Sequence, residues 1–550
     1  MGRRVVVIGL DGATMDLIRP WASDGKLPHL ARLMKEGVSG ELCSTVPPVT
    51  APAWISFMTG KNPGKHGIFH FRTYNLTKYT CYDETLVTSR DFANDTIFTR
   101  ISDSGLQVAS LAVPMTYPPF RVNGVMLSGY PTPNLQTAYT YPPEMADRFV
   151  NINITSEFFR HSNQERIRSA THMVKQLTEY CVELMRDEHH DLFMVVYTNT
   201  DMANHFFRKY AEPDFPHYDA EGAEIYSTVL LDQYHLADEA VGRLLEQARE
   251  DDVVIIMSDH GSDVVPTRYV HTNSWLNSKG WLQPKGELSR ELASGARALV
   301  EYVRVKTPWA RDLVKRRFPA AVKKGISAGM QSTSAIDWSK TKAYRVPMFY
   351  FVEGIEINLK GRQPQGIVEP GQEYEQLRTQ IIGELAGLRD PETGSNIVRR
   401  AMRKEEEYSG PLLDRAPDIV VFYGHDYSGG ANPVGPMVTP VERYKLETWS
   451  GQHRMNGTLI MWGKDVREDT TLEGAQITDL APTILYLLGL PIPSNMDGRV
   501  LAQALNPSLL ESRPITLEDA LDQEKAEQAH LDEAEEEQIR EALRGLGYIE

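Results

Sequence analysis

The chain is expected to fold as an α/β protein around a mostly parallel sheet, and three observations carry that expectation. Residues 4–8, 191–197 and 253–257 are continuous apolar runs rich in β-branched side chains, the pattern of strands covered on both faces. Helix-length amphipathic segments lie between them, at residues 27–36, 164–187 and 225–250. Each of the three runs is followed within a few residues by an Asp, with a His nearby after two of them. At 550 residues the chain is too long for one minimal core, so it holds one large domain with insertions or two domains.

Composition narrows the function classes. Hydrophobic residues make up 41% and charged residues 24%, a globular balance. The formal net charge of -16 argues against nucleic acid as a bulk partner. Cys43, Cys81 and Cys181 are too few and too scattered for a disulfide framework or a thiolate metal site. The opening MGRRVVVIGLDG runs into a strand without an apolar leader, and no apolar run approaches the ~18 residues of a membrane span. A cytoplasmic location is expected, where the Asn-x-Thr sequons at Asn75 and Asn94 carry no meaning.

In chain order, the first strand ends in Gly-Leu-Asp-Gly. Asp11 thus lies just past its carboxyl end, where open α/β sheets place ligand groups, although an isolated Asp there also caps helices. Residues 27–36 form a helix closed by Gly37. Residues 46–67 read VPPVTAPAWISFMTGKNPGKHG, with Thr50 in a proline-rich turn ahead of an apolar run. A hydroxyl so placed can be exposed and activated, and it is also a common helix N-cap. Residues 70–165 are irregular and rich in Tyr, Thr and Pro, with one strand near 107–113. They read as loops and a partial cap over the sheet edge.

The strand at 191–197 leads into TNTDMANH, where Asp201 and His205 share one face of a helical turn. A long helix over 225–250 precedes the strand 253–257 and then Ser258-Asp259-His260-Gly261. An adjacent Asp-His pair at a strand end, with glycine allowing close backbone approach, is a stronger signal than a spaced pair. From Arg290 to Lys324, ten Lys or Arg stand against three acids. This basic helical stretch reads as a solvated cap face, or as a surface drawing in anionic substrates or lipid headgroups, a peripheral membrane contact. Strand patterns return at 343–352, 355–359, 418–423 and 457–462, as if the sheet is completed after the insertion. His453 lies in a glycine-containing loop before the last of them. Residues 480–488 form a packing helix closed by Gly489, and 517–550 form a charged helical tail, exposed or partner-binding.

Asp11, Thr50, Asp201, His205, Asp259, His260 and His453 together are hard or borderline ligands without thiolates. Such a set suits zinc, with manganese or iron as alternatives. Six ligands and one hydroxyl divide over two divalent metal ions with open positions for substrate.

These stretches resemble the alkaline phosphatase superfamily, and most closely its type I phosphodiesterase/nucleotide pyrophosphatase branch. VVVIGLDG (5–12), TAPAWISFMTGKNPGKHGI (50–68), DMANH (201–205), SDHG (258–261) and GQHR (451–454) occur in the family's order. DLAPTILYLLGLPIPSNMDGR (479–499) is similar to the superfamily's closing segment. The resemblance implies a three-layer α/β/α sandwich with cap insertions. It assigns the catalytic core to residues 1–280 and 336–505 with cap-like loops at 70–165, a basic insertion to 281–335, and a tail to 506–550. It further implies one metal held by Asp201, His205 and His453, and a second held by Asp11, Asp259 and His260 with the Thr50 oxygen. Thr50 is then the nucleophile of a hydrolase that cleaves phosphodiester or pyrophosphate bonds of nucleotide-like substrates through a covalent phospho-threonine.

Two departures stand out. The family's asparagine three residues after the nucleophile is Ala53 here, leaving Asn62, Lys65 or Asn199 to stabilise a phosphoryl oxygen. Thr50-Ala-Pro-Ala-Trp54 also lacks the sulfatase nucleophile and arginine. No arginine near Thr50 is placed for a monoester dianion, which favours diesters. A phosphomonoesterase or phosphotransferase, and a non-catalytic binding protein keeping the fold, remain as alternatives.

Overall fold

The computed structural model describes residues 3–150, 152, 162–285, 335–519 and 531–545. The chain divides into two compact units, one of residues 1–71, 85–264 and 449–550, the other of residues 72–84 and 265–448.

The first unit is built on a nine-stranded sheet. Its order is Thr470–Gln476, Val38–Cys43, Asn456–Gly463, Val253–Met257, Val5–Leu10, Leu192–Tyr197, Val108–Val113, Gly124–Ser128 and Thr140–Tyr141. Only Asn456–Gly463 and Thr140–Tyr141 run against the rest. The central strand Val5–Leu10 is wholly buried because both faces are covered, which is why its sequence is apolar without alternation. On one face Ile8, Val195 and Ile256 pack with Ile18, Leu30, Leu177 and Val241 of four helices. On the other, Gly9 lets the Trp54 ring approach so closely that a Cβ would stand 2.9 Å from it. Helices on both faces of a mostly parallel sheet make the expected three-layer α/β sandwich.

Three expectations about elements are corrected. Residues 343–423 do not complete the central sheet. Ala343–Phe349, Val352–Ile357, Val398–Arg403 and Ile419–Tyr423 form a separate antiparallel sheet in the second unit, and only Asn456–Gly463 enters the main one. Apolar content marks a buried strand, but the partner is chosen by connection length. The two-residue link after Phe349 permits only an antiparallel neighbour. Residues 108–141 supply three strands of the main sheet where mostly irregular chain was expected. The helical stretch 225–250 is two helices, Ala220–Tyr226 and Val229–Leu245.

The basic stretch 290–324 lies outside the described residues. In the tail, the helix Glu533–Gly545 buries Ile539, Ala542 and Leu543, spaced as one helical stripe, so it is packed rather than exposed. Among the described residues, no helix is long and apolar enough to cross a membrane.

In the second unit Glu356 and Asp418 are fully buried and share Arg362, whose guanidinium lies 2.7 Å from Glu356 and 2.9 Å from Asp418. Burial, then the charge of Asp418, pushes Glu356 up to about 8 from an ordinary 4.5. The fold therefore holds a proton that the unfolded chain releases. This contribution is full below the ordinary value and is lost as pH rises toward 8, at up to about 1.4 kcal/mol per pH unit. Glu356→Gln is expected to flatten the loss of stability between pH 5 and pH 8, read from denaturant melts at each pH.

Candidate active site

The seven residues singled out in the sequence fall in the first unit, and the acidic and histidine ligand candidates gather at the carboxyl edge of its parallel strands. Asp11 directly follows Val5–Leu10. Asp201 and His205 lie one turn apart on the helix Asn199–Ala211, which leaves the end of Leu192–Tyr197. Asp259 and His260 follow Val253–Met257 after a single serine. His453 arrives differently. Gly261–Val264 pairs antiparallel with Gly451–Arg454 so that Ser262 faces His453. This carries the His453 ring onto His260, with centroids 3.5 Å apart and planes 17° from parallel.

Each imidazole is oriented by a main-chain carbonyl. Nδ1 of His205 lies 2.9 Å from Gly451 O, Nδ1 of His260 lies 3.0 Å from Gly261 O, and Nδ1 of His453 lies 2.9 Å from Pro48 O. A carbonyl can only accept, so in all three rings Nδ1 carries the hydrogen and a neutral ring presents its Nε2 lone pair. Those lone pairs converge. Nε2 of His205 stands 3.0 Å from Nε2 of His453 and 3.3 Å from Asp201 Oδ1, while His453 Nε2 is 3.7 Å from the same oxygen. His260 Nε2 stands 3.3 Å from Asp259 and 3.7 Å from Asp11.

Asp11 Oδ1, Asp259 Oδ2 and His260 Nε2 are buried with no hydrogen-bond partner among the described residues. Buried acceptors facing one another are unfavourable unless a cation lies between them. Burial, followed by the negative charges of Asp259 and Asp201, pushes the Asp11 carboxyl well above the usual range. Burial likewise raises Asp259. Asp201 is held low against its burial by the His205, His453 and His260 rings. Burial, then His260, drives His453 well below the ordinary imidazole value, so it stays a neutral donor. Asp201, His260 and His453 form one group close enough to share an ion, and Asp11, Asp259 and His260 form another. The carboxylate and imidazole donors fit divalent cations of the zinc, manganese and iron type.

The family model described as type I phosphodiesterase/nucleotide pyrophosphatase matches residues 5–442. The chain belongs to this family. Family membership places it in the alkaline phosphatase superfamily as a phosphodiesterase/pyrophosphatase-type hydrolase. Phosphonoacetate hydrolase from Sinorhizobium meliloti 1021 shares the fold at a TM-score of 0.51 and 14% identity, over 88% of this chain and 95% of its own. Murine ectonucleotide pyrophosphatase/phosphodiesterase 5, an inactive form in complex with AMP, is similar at 0.47 and 12% identity, over 91% and 98%. Its human counterpart gives 0.46 and 12% over the same shares. No curated protein sequence matches the chain.

Thr50 opens the helix Thr50–Thr59, with Val49 rather than Thr50 at the N-cap, so the hydroxyl is not consumed by capping. One contact fixes this segment to the ligand cluster: the carbonyl of Pro48, two residues before Thr50, holds the His453 ring. Main-chain anchors steady the carboxylates. Thr200 Oγ1 donates to Asp11 O at 2.6 Å, and Ser44 Oγ donates to Asp259 O at 2.6 Å.

None of the three residues expected to replace the family's asparagine is disengaged. Asn62 and Lys65 are held by Asp497, at 2.8 and 2.6 Å, and Asn199 Nδ2 donates to Gln233 O at 2.8 Å. Ala53 is fully buried.

Gly12 has φ +65°, and a Cβ there would stand 2.7 Å from Asp201 Oδ1, whereas Gly25 has φ +74° and open space around it. Gly12→Ala and Gly25→Ala therefore share the backbone penalty and differ in the Asp201 contact. Gly12→Ala is expected to lower diester hydrolysis about tenfold or more, with Gly25→Ala near wild type, as initial rates will show.

Proposed function

We propose that this protein hydrolyses phosphodiester or pyrophosphate bonds in nucleotide-like substrates, with Thr50 as nucleophile and two divalent metal ions, zinc foremost. The observation that carries the reading is the set of three imidazoles whose Nδ1–H groups are tied to carbonyls while their Nε2 atoms converge on three buried carboxylates. Asp201, His205 and His453 would hold one ion, and Asp11, Asp259 and His260 the other. Bound there, such ions supply the positive charge that makes a threonine hydroxyl acidic and neutralises phosphoryl oxygens.

The chain's own groups do the rest. Thr50 Oγ attacks phosphorus in line, its proton passing to solvent. The phosphorus–ester oxygen bond opposite breaks, and the departing oxygen takes up a proton as alcohol or phosphate. Water then attacks the phospho-threonine, the bond from phosphorus to Thr50 Oγ breaks, and the hydroxyl is restored. One water is consumed for each phosphorus–oxygen bond cleaved. The helix that begins at Thr50 directs its positive end toward the anionic substrate. The Pro48 carbonyl couples the nucleophile's turn to the orientation of His453, so attack geometry and ligand geometry are set together.

Thr50→Ala is expected to lower kcat on a nucleotide diester by about a thousandfold or more with metal content unchanged by mass spectrometry. Unchanged turnover would remove Thr50 from the mechanism. His453→Ala should lose one metal equivalent. In a substrate panel the diester should outrun the matching monoester. The opposite order would mark a phosphomonoesterase, and protein without stoichiometric metal, inactive after added zinc or manganese, would mark a binding protein.

A further inference from the structure

The parallel strands of the central sheet have a second edge, opposite the one where the ligand candidates gather. A cavity of about 440 Å³ opens there, within the usual range for small-molecule sites. Arg3, Leu106 and Asp191 of its lining stand one or two residues before the strands Val5–Leu10, Val108–Val113 and Leu192–Tyr197. The remaining wall comes from the ends of the helices Leu480–Leu487 and Pro507–Ser512 and from Arg513 just beyond the second. We propose that this cavity binds an amphiphile with an anionic oxygen head, a carboxylate or a phosphate, held by Arg3 and Arg513 with its apolar body against leucines. The cavity stands apart from the Asp and His cluster, and its ligand binds whether or not Thr50 is a nucleophile.

Two guanidinium groups meet at one acceptor. Nη1 of Arg3 and Nη2 of Arg513 each donate to Leu487 O at 3.4 Å, long for hydrogen bonds. A single arginine on the last carbonyl of a helix is ordinary capping. Two crowd like charge onto an oxygen that one would satisfy. Arg3 also pairs with Asp465, whereas Arg513 has no carboxylate partner among the described residues. The Nε atoms of both are buried without a hydrogen-bond partner there. Asp191, the carboxylate of the lining, is already engaged: its Oδ2 accepts from Gln107 N at 2.8 Å and its Oδ1 lies 3.1 Å from His189 Nε2. Burial, then the positive charge of Arg513, lowers the Arg3 guanidinium from its ordinary value, as facing like charges do. An oxyanion between the two groups relieves both, and the planar fork of arginine suits carboxylate and phosphate alike.

Arg513 is held in place before any ligand arrives. Its guanidinium carbon lies 4.9 Å from the centroid of the Tyr486 ring, and Tyr486 OH donates to Arg513 O at 2.7 Å. The rest of the wall is largely apolar. Leu106, Leu487, Leu488 and Leu509 line it, and Leu106 and Leu488 are only half-buried, leaving apolar surface for a ligand to cover. Leucines beside two cations suit a ligand that is anionic at one end and apolar along the rest.

The test is calorimetric titration of the full chain with decanoate and with decylphosphonate, which cannot be hydrolysed, both below their micelle concentrations. Decanol, decylammonium and inorganic phosphate serve as comparators. Each anionic amphiphile should bind once per chain and about tenfold or more tighter than any comparator. Arg513→Met keeps an apolar stem without the charge and should weaken both about tenfold or more. Decanol binding as well as decanoate would leave an apolar cavity with no anion site, and tighter decylammonium would assign the cavity to Asp191. Phosphate binding as well as decylphosphonate would remove the apolar body. Each of these results overturns the proposal. So do affinities in Arg513→Met within about twofold of wild type, which would place the ligand elsewhere, the Asp and His cluster included. Sedimentation with anionic phospholipid vesicles that depends on Arg513, without decanoate binding, would mark a membrane contact instead and overturn it too. Should Arg513→Met not fold, Ser512→Trp, at an exposed position of the lining, fills the cavity and leaves both arginines. The same loss of affinity is then expected, and unchanged affinity overturns the proposal.

Discussion

Three hydrogen bonds from imidazole Nδ1 to main-chain carbonyls govern the site. Because Gly451, Gly261 and Pro48 offer only acceptors, His205, His260 and His453 must turn their lone pairs inward. Six acceptors then face a small buried space with Asp11, Asp201 and Asp259, an arrangement that positive charge alone can relieve. The raised Asp11 and the lowered His453 report the same frustration from opposite sides.

The scaffold makes this frustration affordable. Parallel strands with both faces covered end together on one edge, so residues separated by hundreds of positions emerge side by side. The antiparallel strand Asn456–Gly463 is the exception that brings in the last ligand. By running back along Val253–Met257 it places Gly451–Arg454 against Gly261–Val264, and that register sets His453 on His260. His453 lies past the end of the family match, yet the pairing gives it a place as well defined as the others.

Thr50 is tied to the cluster through Pro48, whose carbonyl holds the His453 ring. Trp54 explains Gly9, whose missing side chain leaves room for the indole. Packing of the central strand and placement of the nucleophile's helix thus meet in one aromatic ring. Substituting any of these groups for packing reasons would also move the chemistry.

Much of this was legible in the residue string. Continuous β-branched runs at 4–8, 191–197 and 253–257 announce strands covered on both faces, and an Asp or His just beyond each is chemistry at a sheet edge, because side-chain period and burial are local properties. The tertiary structure alone decided which strands pair, since pairing depends on connection geometry. It sent residues 343–423 to a second sheet and brought residues 108–141 into the first. It also decided the imidazole tautomers, which depend on carbonyls distant in sequence for His205 and His453. Finally, it set aside Asn62, Lys65 and Asn199. A polar residue near a nucleophile reads as available until its partner is found.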